Sequence, residues 1–378
     1  MKLRNLFGSW NVQNLVKLMA LGCGLLLALI AVLGLAMALG EDALEVARII
    51  WLGAWGSTTA LGYSLYYATP LVFTGLAVAW AMRVGLFNIG AEGQMTMGGI
   101  AMVALGILLP ELPSIVAWPL TLLLGALVGA AWAAVPAWFK VRRGTHEVLV
   151  CILMNFVAYG VGGFLILHVF RNPESQNPET LAIGSGFQWP QLAWMGGQSP
   201  LNATLGLAIV IVLLLSWLSG RTRFGLHQRW VGGAAEFAER SGVSPTRHQV
   251  LAMLISGALA GMAGSSILLG YLHKAREGFA GGAGFIGIAV ALLGGLRPWG
   301  VLAAAILFGG LQKGAIDLDL DTEKISRDLA TVMQAMVVVA VAALPLLNEF
   351  WTKRLDPSTS WGRRLHRWLE RDHPQGGR

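Results

Sequence analysis

The run LGCGLLLALIAVLGLAMALG (residues 21–40) has no charged residue, no proline and no alternation of polar with apolar positions. Hydrocarbon offers a backbone no hydrogen-bonding partner, so a segment that crosses it satisfies its own N–H and C=O groups, as an α-helix or as a strand of a closed barrel. Barrel strands are about ten residues long and alternate in polarity. This run does neither, and its length matches the roughly 20 residues that a spanning helix needs. Nine further stretches read the same way. Together they make ten candidate spans: 18–39, 63–82, 92–109, 115–138, 148–168, 203–219, 250–271, 283–296, 300–313 and 329–347. The eighth and ninth are short and separated only by Leu296-Arg297-Pro298-Trp299-Gly300. That sequence suits a tight turn between two helices; one long broken helix is the alternative.

Composition agrees with an all-α polytopic membrane protein. Of 378 residues, 55% are hydrophobic and 12% charged, with a mean hydropathy of +0.63. A soluble domain carries about 25% charged residues, so the chain cannot dress the surface of a water-soluble globule. Disorder, which needs low hydrophobicity and high charge, is equally excluded. Cys23 and Cys151 fall in apolar runs and read as buried thiols. With no CxxC and no Cys/His cluster, no structural zinc site is expected.

Charge placement sets the expected topology. With the N-terminus inside, 20 of the 27 Lys and Arg fall in inner segments (1–17, Arg83, 140–143, 221–247, Arg297 and beyond 350). Cytoplasmic loops carry such an excess, so both termini are expected in the cytoplasm. The expected divisions are a cytoplasmic N-terminus (1–17), a transmembrane domain (18–347) and a basic cytoplasmic tail (348–378). Topology accounts for the net charge of +7, and no nucleic-acid partner is implied. Residues 1–38 read as a retained helix, because their apolar stretch exceeds the 7–15 residues of a signal-peptide core.

Four segments between or beside the spans carry chemistry. Outside, residues 169–202 and the acidic 314–328 are either solvated loops or a docking surface for an external partner. Trp189, Trp194 and Met195 would also suit the membrane interface. Asp317, Asp319 and Asp321 alternate as in a calcium loop, but the loop's Gly and terminal Glu are missing. Inside, residues 221–249 form the longest polar stretch between spans. After Gly232-Gly233, AAEFAERS (234–241) reads as a short helix, ended by Gly242 in the left-handed conformation and by Pro245. One edge offers Phe237 and Ser241, surrounded by Glu236, Glu239 and Arg240. Such a capped helix suits engagement with a partner.

The segment Arg83 to Gln94 sets Arg83, Asn88, Glu92 and Gln94 among apolar residues, with Gly85, Gly90 and Gly93 permitting turns. It reads as a capped re-entrant loop, with Glu92 complementing a helix dipole, or as the polar lining of a transport route. Asn155 and Tyr159 lie one turn apart in the fifth span and either satisfy each other or face a pore. Gly257/Gly261 and Ala260/Gly264, with Gly281, Gly282, Gly284 and Gly287, mark close helix contacts. No GxxxxGK[ST], HExxH or GxSxG occurs, so the chain has no phosphate-cradling loop. Its uncharged spans offer no ion relay. Transport would then draw energy from a partner; an ion-coupled secondary transporter or channel working without an ATPase is the alternative.

These same residues carry a resemblance. GLFNIGAEGQ (85–94), preceded by ATPLVFTGLAVAWAMR (68–83), looks like the hallmark of the permease subunits of bacterial ATP-binding-cassette importers for nucleosides and simple sugars. HEVLVCILMNFVAYG (146–160) and IAVALLGGLRPWGVLAAAILFG (288–309) continue the likeness, which covers about 60–347. The 231–249 segment resembles the family's coupling helix, with Ala234-Ala235 standing where Asn-Pro is usual and Glu239-Arg240-Ser241-Gly242 where Arg-Tyr-Ala-Gly is usual. The resemblance implies a type II importer bundle in a bacterial inner membrane, paired with a second related permease or a copy of itself. It also implies a cytoplasmic ABC ATPase that uses the ATP, an external substrate-binding lipoprotein, and no cofactor held by this chain. Within the group, the GLFNIGAEGQ form looks like the purine-nucleoside branch. Glu236, Phe237, Arg240, Ser241 and Gly242 would then couple to the ATPase, and Asn88, Glu92, Gln94, Asn155 and Tyr159 are the candidates for the translocation pathway.

Overall fold

A computed structural model describes residues 40–322 continuously, with the scattered positions 30, 33, 34, 36–38, 332, 335, 336 and 339. Nearly everything described is helical, and among the described residues pairing between extended segments is limited to three isolated bridges. The chain divides into two compact units. Arg48–Glu323 form the larger, and Met1–Ala47 with Lys324–Arg378 form the smaller. Expected spans 18–39 and 329–347, and the ends 1–17 and 348–378, fall outside the continuously described residues.

Seven helices in the described residues are long and apolar enough to cross a membrane. They are α2 (Thr58–Met82), α3 (Ala91–Leu108), α4 (Ser114–Arg143), α5 (Glu147–Phe164, prolonged to Val169), α6 (Thr204–Arg221), α9 (Pro245–Met262, prolonged to Leu272) and α11 (Pro298–Asp321). They realise seven of the ten expected spans. The eighth expected span is α10 (Ala283–Leu293), a helix of 11 residues and hence about 16 Å, too short to cross. The pair 283–296 and 300–313 forms two separate helices: the chain turns at Gly294–Arg297, with Leu296 at φ +58. Among the described residues, helices outside the expected spans include α1 (Ala43–Trp55), α7 (Arg223–Gly233) and α8 (Ala235–Arg240).

Helix α2 is the central member, buried along most of its length, and α6, α9, α10 and α11 pack around it. Where α4 crosses α9, two GxxxG pairs interlock. A Cβ on Gly257 would run into Gly129 O and the Ala133 side chain, and a Cβ on Gly261 into Gly125 O. Between helices in lipid, close backbone approach supplies the packing that water expulsion supplies elsewhere. Gly257/Gly261 were legible as a contact pair; their partners Gly125 and Gly129 were not singled out.

The segments grouped by charge bias gather at common ends. Arg83 Nη2 donates to Leu296 O at 3.3 Å, Phe87 N donates to Glu147 Oε1 at 3.3 Å, and Lys140 pairs with Glu147 at 2.8 Å. These define a basic end. At the far end, residues 169–202 are a folded cap. Ile183 N donates to His273 O and Trp189 N to Leu269 O, both at 2.9 Å, and Trp189 is buried against Trp118, with ring centroids 5.1 Å apart. The expectation that Trp189 lies exposed is corrected, while Trp194 does stand out at 83% exposure. The acidic segment expected as a loop over 314–328 is also corrected: residues 314–321 continue α11. Lys313 and Asp317 pair one turn apart, Leu318 is buried, and Gly314 lies against Ile50.

The Gly257 contact generates a prediction. Gly257→Leu should destabilise the detergent-purified protein by at least about 1–3 kcal/mol, read as a lower thermal midpoint. Gly206→Ala, with nothing within 4 Å of its added Cβ, should leave the midpoint in place; equal midpoints for the two variants would contradict this packing.

Candidate functional site

Two constellations stand out, one buried at mid-depth and one on the basic end. The first is built where α2 ends and α3 begins. Past Met82 the chain turns through Gly85 at φ +77 and re-enters, so that Asn88 lies beside α9: its Nδ2 donates to Ser256 Oγ at 2.7 Å, and Ser256 Oγ donates to Ala77 O at 2.6 Å. Ala77 is five residues from the end of α2, about 8 Å along the helix. Helix α3 therefore starts below the surface. Asn88 and Gln94 exchange both amide bonds, at 2.8 and 3.0 Å, and Asn88 Oδ1 also accepts the Gly90 N–H at 3.0 Å. Asn155 ties α5 in, its Oδ1 accepting from Gly93 N at 2.9 Å and its Nδ2 donating to Ile89 O at 3.0 Å.

Glu92 completes the junction. It lies in the first turn of α3, yet its carboxyl oxygens accept the N–H of Gly282 at 2.9 Å and of Gly284 at 2.7 Å, at the N-terminus of α10. Helix α10 starts at the depth of Thr74, whose Oγ1 donates to Ala283 O at 2.9 Å. A carboxyl group from the first turn of α3 thus caps the N-terminus of α10, the two helices being reached from opposite ends of the bundle. Orphan N–H groups at a helix start favour an acceptor of this kind.

The structure brings Asn88, Glu92, Gln94 and Asn155 together, each at most 3% exposed, with their bonds directed into the chain. Tyr159 is 41% exposed, and Asn155 bonds the 89–93 backbone instead of Tyr159. Ser256 belongs to the network and was missed. A single Ser in an apolar span carries no signal until the helix opposite is known.

The second constellation spans 222–248. Residues 223–233, expected as loop, are the helix α7, whose cap Thr222 accepts from Gly225 N at 3.2 Å; that capping Thr is the signal the reading passed over. The expected helix over 234–241 is α8. Gly242 takes φ +80, and its N–H donates to Glu239 O while Val243 N donates to Ala238 O, both at 2.9 Å. This is the paired bonding of a glycine-terminated helix with its apolar contact, here buried Ala238 and Val243. Glu236, Glu239, Arg240, Ser241 and Gly242 are exposed, as is Phe237, 55% open to solvent.

From Phe237 a continuous chain of ring contacts runs inward. Phe237 meets Trp230 at 5.7 Å, Trp230 meets His227 at 5.6 Å, His227 meets His248 at 5.6 Å, His248 meets Phe224 at 5.5 Å, and Phe224 meets Trp80 at 6.3 Å. Arg83 closes the chain, its guanidinium 5.3 Å from the Trp80 ring centroid. Burial, with Arg229 nearby, lowers the Arg83 pKa from its ordinary value. Helix α7 presses on the same point, since a Cβ on Gly232 would strike Arg83 O. The exposed short helix is thereby joined, ring by ring, to the loop that leads into the buried junction.

At the far end Glu179 bonds Lys274 at 2.7 Å and Arg276 at 3.0 Å. The Lys274 bond, helped by Ser175 and Arg276, holds its carboxyl down at about 2.

Residues 60–342 match the family described as branched-chain amino acid transport system / permease component. The chain belongs to this permease family. Among its relatives, the guanosine ABC transporter permease protein NupP of Bacillus subtilis is 32% identical over 88% of this chain and 92% of its own. The nucleoside ABC transporter permease protein NupB of Lactococcus lactis is 30% identical over 87% and 90%. The glucose ABC transporter permease protein TsgB13 of Haloferax volcanii is 30% identical over 86% and 87%. The permease is accordingly a multi-pass membrane protein, and the stretches that suggested the family, 68–94, 146–160 and 288–309, are those that build its buried junction and the turn beside Arg83.

Glu92→Ala would leave the buried Gly284 N–H and the part-buried Gly282 N–H without an acceptor, at about 1–3 kcal/mol for the buried one. The thermal midpoint of the purified permease should fall accordingly, while Tyr159→Phe leaves it unchanged. A Glu92→Ala protein as stable as the parent would show that the carboxyl group does not hold the two helices.

Proposed function

We propose that this permease is the transmembrane subunit of an ATP-binding-cassette importer in a bacterial inner membrane, and that it forms half of the route for a small polar solute: a nucleoside, foremost a purine nucleoside, or a simple sugar. The observation that carries this reading is the exposed Phe237 on a capped surface helix, at the head of a ring chain that ends on Arg83. A large apolar side chain standing in water on a rigid mount suits insertion into a partner, and here the partner is a cytoplasmic ABC ATPase. Phe237 fills an apolar socket of that ATPase, Glu236 and Arg240 pair with its charges, Ser241 borders the contact and Gly242 permits the turn. Movement of α8 then displaces Trp230 and α7, and through Gly232 and Trp80 shifts the Arg83 loop. ATP binds to the partner, and this chain holds no cofactor of its own.

The solute route runs beside the junction. Asn88, Glu92, Gln94 and Asn155 frame it by fixing where α3 and α10 begin, while exposed Tyr159 is free to face it. A second related permease, or a copy of this chain, supplies the other half. The far-end cap with its exposed Trp194 receives an external substrate-binding lipoprotein.

Phe237→Asp tests the assignment. The variant should insert at the parental level and keep its thermal midpoint, because Phe237 is mostly solvent-exposed. It should lose co-purification of the ATPase and lose solute uptake by cells. An ATPase that still co-purifies with it would sink the docking role of α8.

A further inference from the structure

Four of the five tyrosines of the chain meet in one cluster at the far end of the bundle. Tyr63 and Tyr67 stack one turn apart on α2, with ring centroids 6.4 Å apart and planes at 29°. Tyr66 meets Tyr67 edge-on at 5.2 Å and Tyr271 edge-on at 5.6 Å. Tyr66 is buried, Tyr63 and Tyr67 are half-buried, and Tyr271 is 45% exposed. A cation completes the group: Lys313 Nζ lies 5.3 Å from the Tyr63 ring centroid and pairs with Asp317.

Tyrosines near helix ends commonly form an interfacial belt facing lipid headgroups. Three features set this cluster apart. It closes inward on buried Tyr66, with rings contributed by two separate segments. Its ion pair belongs to α11, where both side chains are mostly buried, at 13% and 22% exposure; ionisable groups inside spans mark solute routes more often than lipid surfaces. Tyr271 is carried by the π-helical stretch Leu268–Leu272, which ends on His273 at φ +55. Both irregularities are concentrated at functional sites in proteins generally.

The cluster also leads somewhere. Tyr63, Tyr67 and Thr74 share a face of α2 at spacings of four and seven residues, and Thr74 bonds Ala283 at the start of α10. A solute received among the rings therefore stands over the mid-depth junction, at the end of the bundle opposite α8.

We propose that Tyr63, Tyr67 and Tyr271, with Lys313 and Asp317, form a subsite that takes the base of a nucleoside as it enters the permease. This rests on the importer reading above and narrows it from nucleosides or sugars to nucleosides. The chemistry fits a planar heterocycle: flat aromatic faces for stacking, phenol hydroxyls and a carboxyl oxygen for the polar edges of the base, and an ammonium group over the rings. A simple sugar can set only its C–H faces against these rings, without the π-stacking that a planar base adds. Losing one stacked base contact corresponds to about a tenfold loss of binding.

The test uses the whole complex, with its ATPase and second permease, in nanodiscs without the external binding protein, and 8-azidoadenosine as photolabel. Adducts should map to residues 58–82 or 265–276, and adenosine or guanosine should compete where ribose and glucose do not. Tyr63→Leu and Tyr271→Leu should each cut labelling about tenfold at unchanged yield of assembled complex. Phe156→Leu, which removes an exposed aromatic of α5, should not. Undiminished labelling in both tyrosine variants, adducts confined to other segments, or equal competition by ribose would each overturn the subsite. Nucleoside uptake by cells carrying the parent chain separates the two readings. Uptake without labelling at the tyrosines overturns the subsite and leaves the importer standing. Absence of nucleoside uptake overturns the nucleoside reading and the subsite with it.

Discussion

Backbone N–H groups at a helix start have no partner within the helix, and inside a membrane no water replaces one. This permease begins two helices, α3 and α10, below the surface, and it meets the deficit at α10 with Glu92 and part of that at α3 with Asn155. One carboxyl group, fixed in the first turn of α3, accepts two N–H groups from the start of α10. The irregular backbone on either side becomes tolerable only because this bond and those of Asn88, Gln94, Asn155 and Ser256 satisfy it. A half-length α10 depends on the arrangement, and so does the turn at Gly294–Arg297 that brings Leu296 O to Arg83. The mid-depth junction and the basic end are in this sense one construction.

That continuity bears on how motion would cross the chain. Packed rings transmit displacement because a close-packed interior does not deform smoothly. The contacts from Phe237 to Trp80 involve four helices, α8, α7, α9 and α2, and end on Arg83, which lies at the head of the re-entrant loop. The ring chain also engages α9 through His248, and α9 is the helix that crosses α4 at Gly257 and Gly261.

The legible parts of the fold were those set by local chemistry. Apolar runs without charge marked seven spans, Gly242 and Pro245 marked the end of α8, and the Lys and Arg bias sorted the loops onto two ends. The illegible parts depended on distant partners. Nothing near Glu92 in the chain announces that its acceptors serve Gly282 and Gly284, nearly 200 residues away. Nor does the 169–202 segment reveal that Trp189 is buried, since the covering residues come from α4 and the 268–275 stretch. Helix α7 was missed because polar Arg223, His227, Gln228 and Arg229 read as solvated loop, although Thr222 was present as a cap. The acidic 314–321 residues misled in the same way: Asp317, Asp319 and Asp321 alternate, but Ala315, Leu318 and the Lys313–Asp317 pair make the stretch helical.

The account turns on the source of energy. Among the described residues, buried Glu92 and Glu147 bond within the chain, and in the importer reading work enters through α8. The direct measurement is nucleoside uptake into proteoliposomes that hold this permease with its partner permease and ATPase, loaded with binding protein and nucleoside on the binding-protein side and ATP on the ATPase side. The account predicts uptake that requires ATP and is indifferent to proton and sodium gradients. Uptake by vesicles holding this chain alone, driven by an ion gradient and unchanged by ATP, would contradict it.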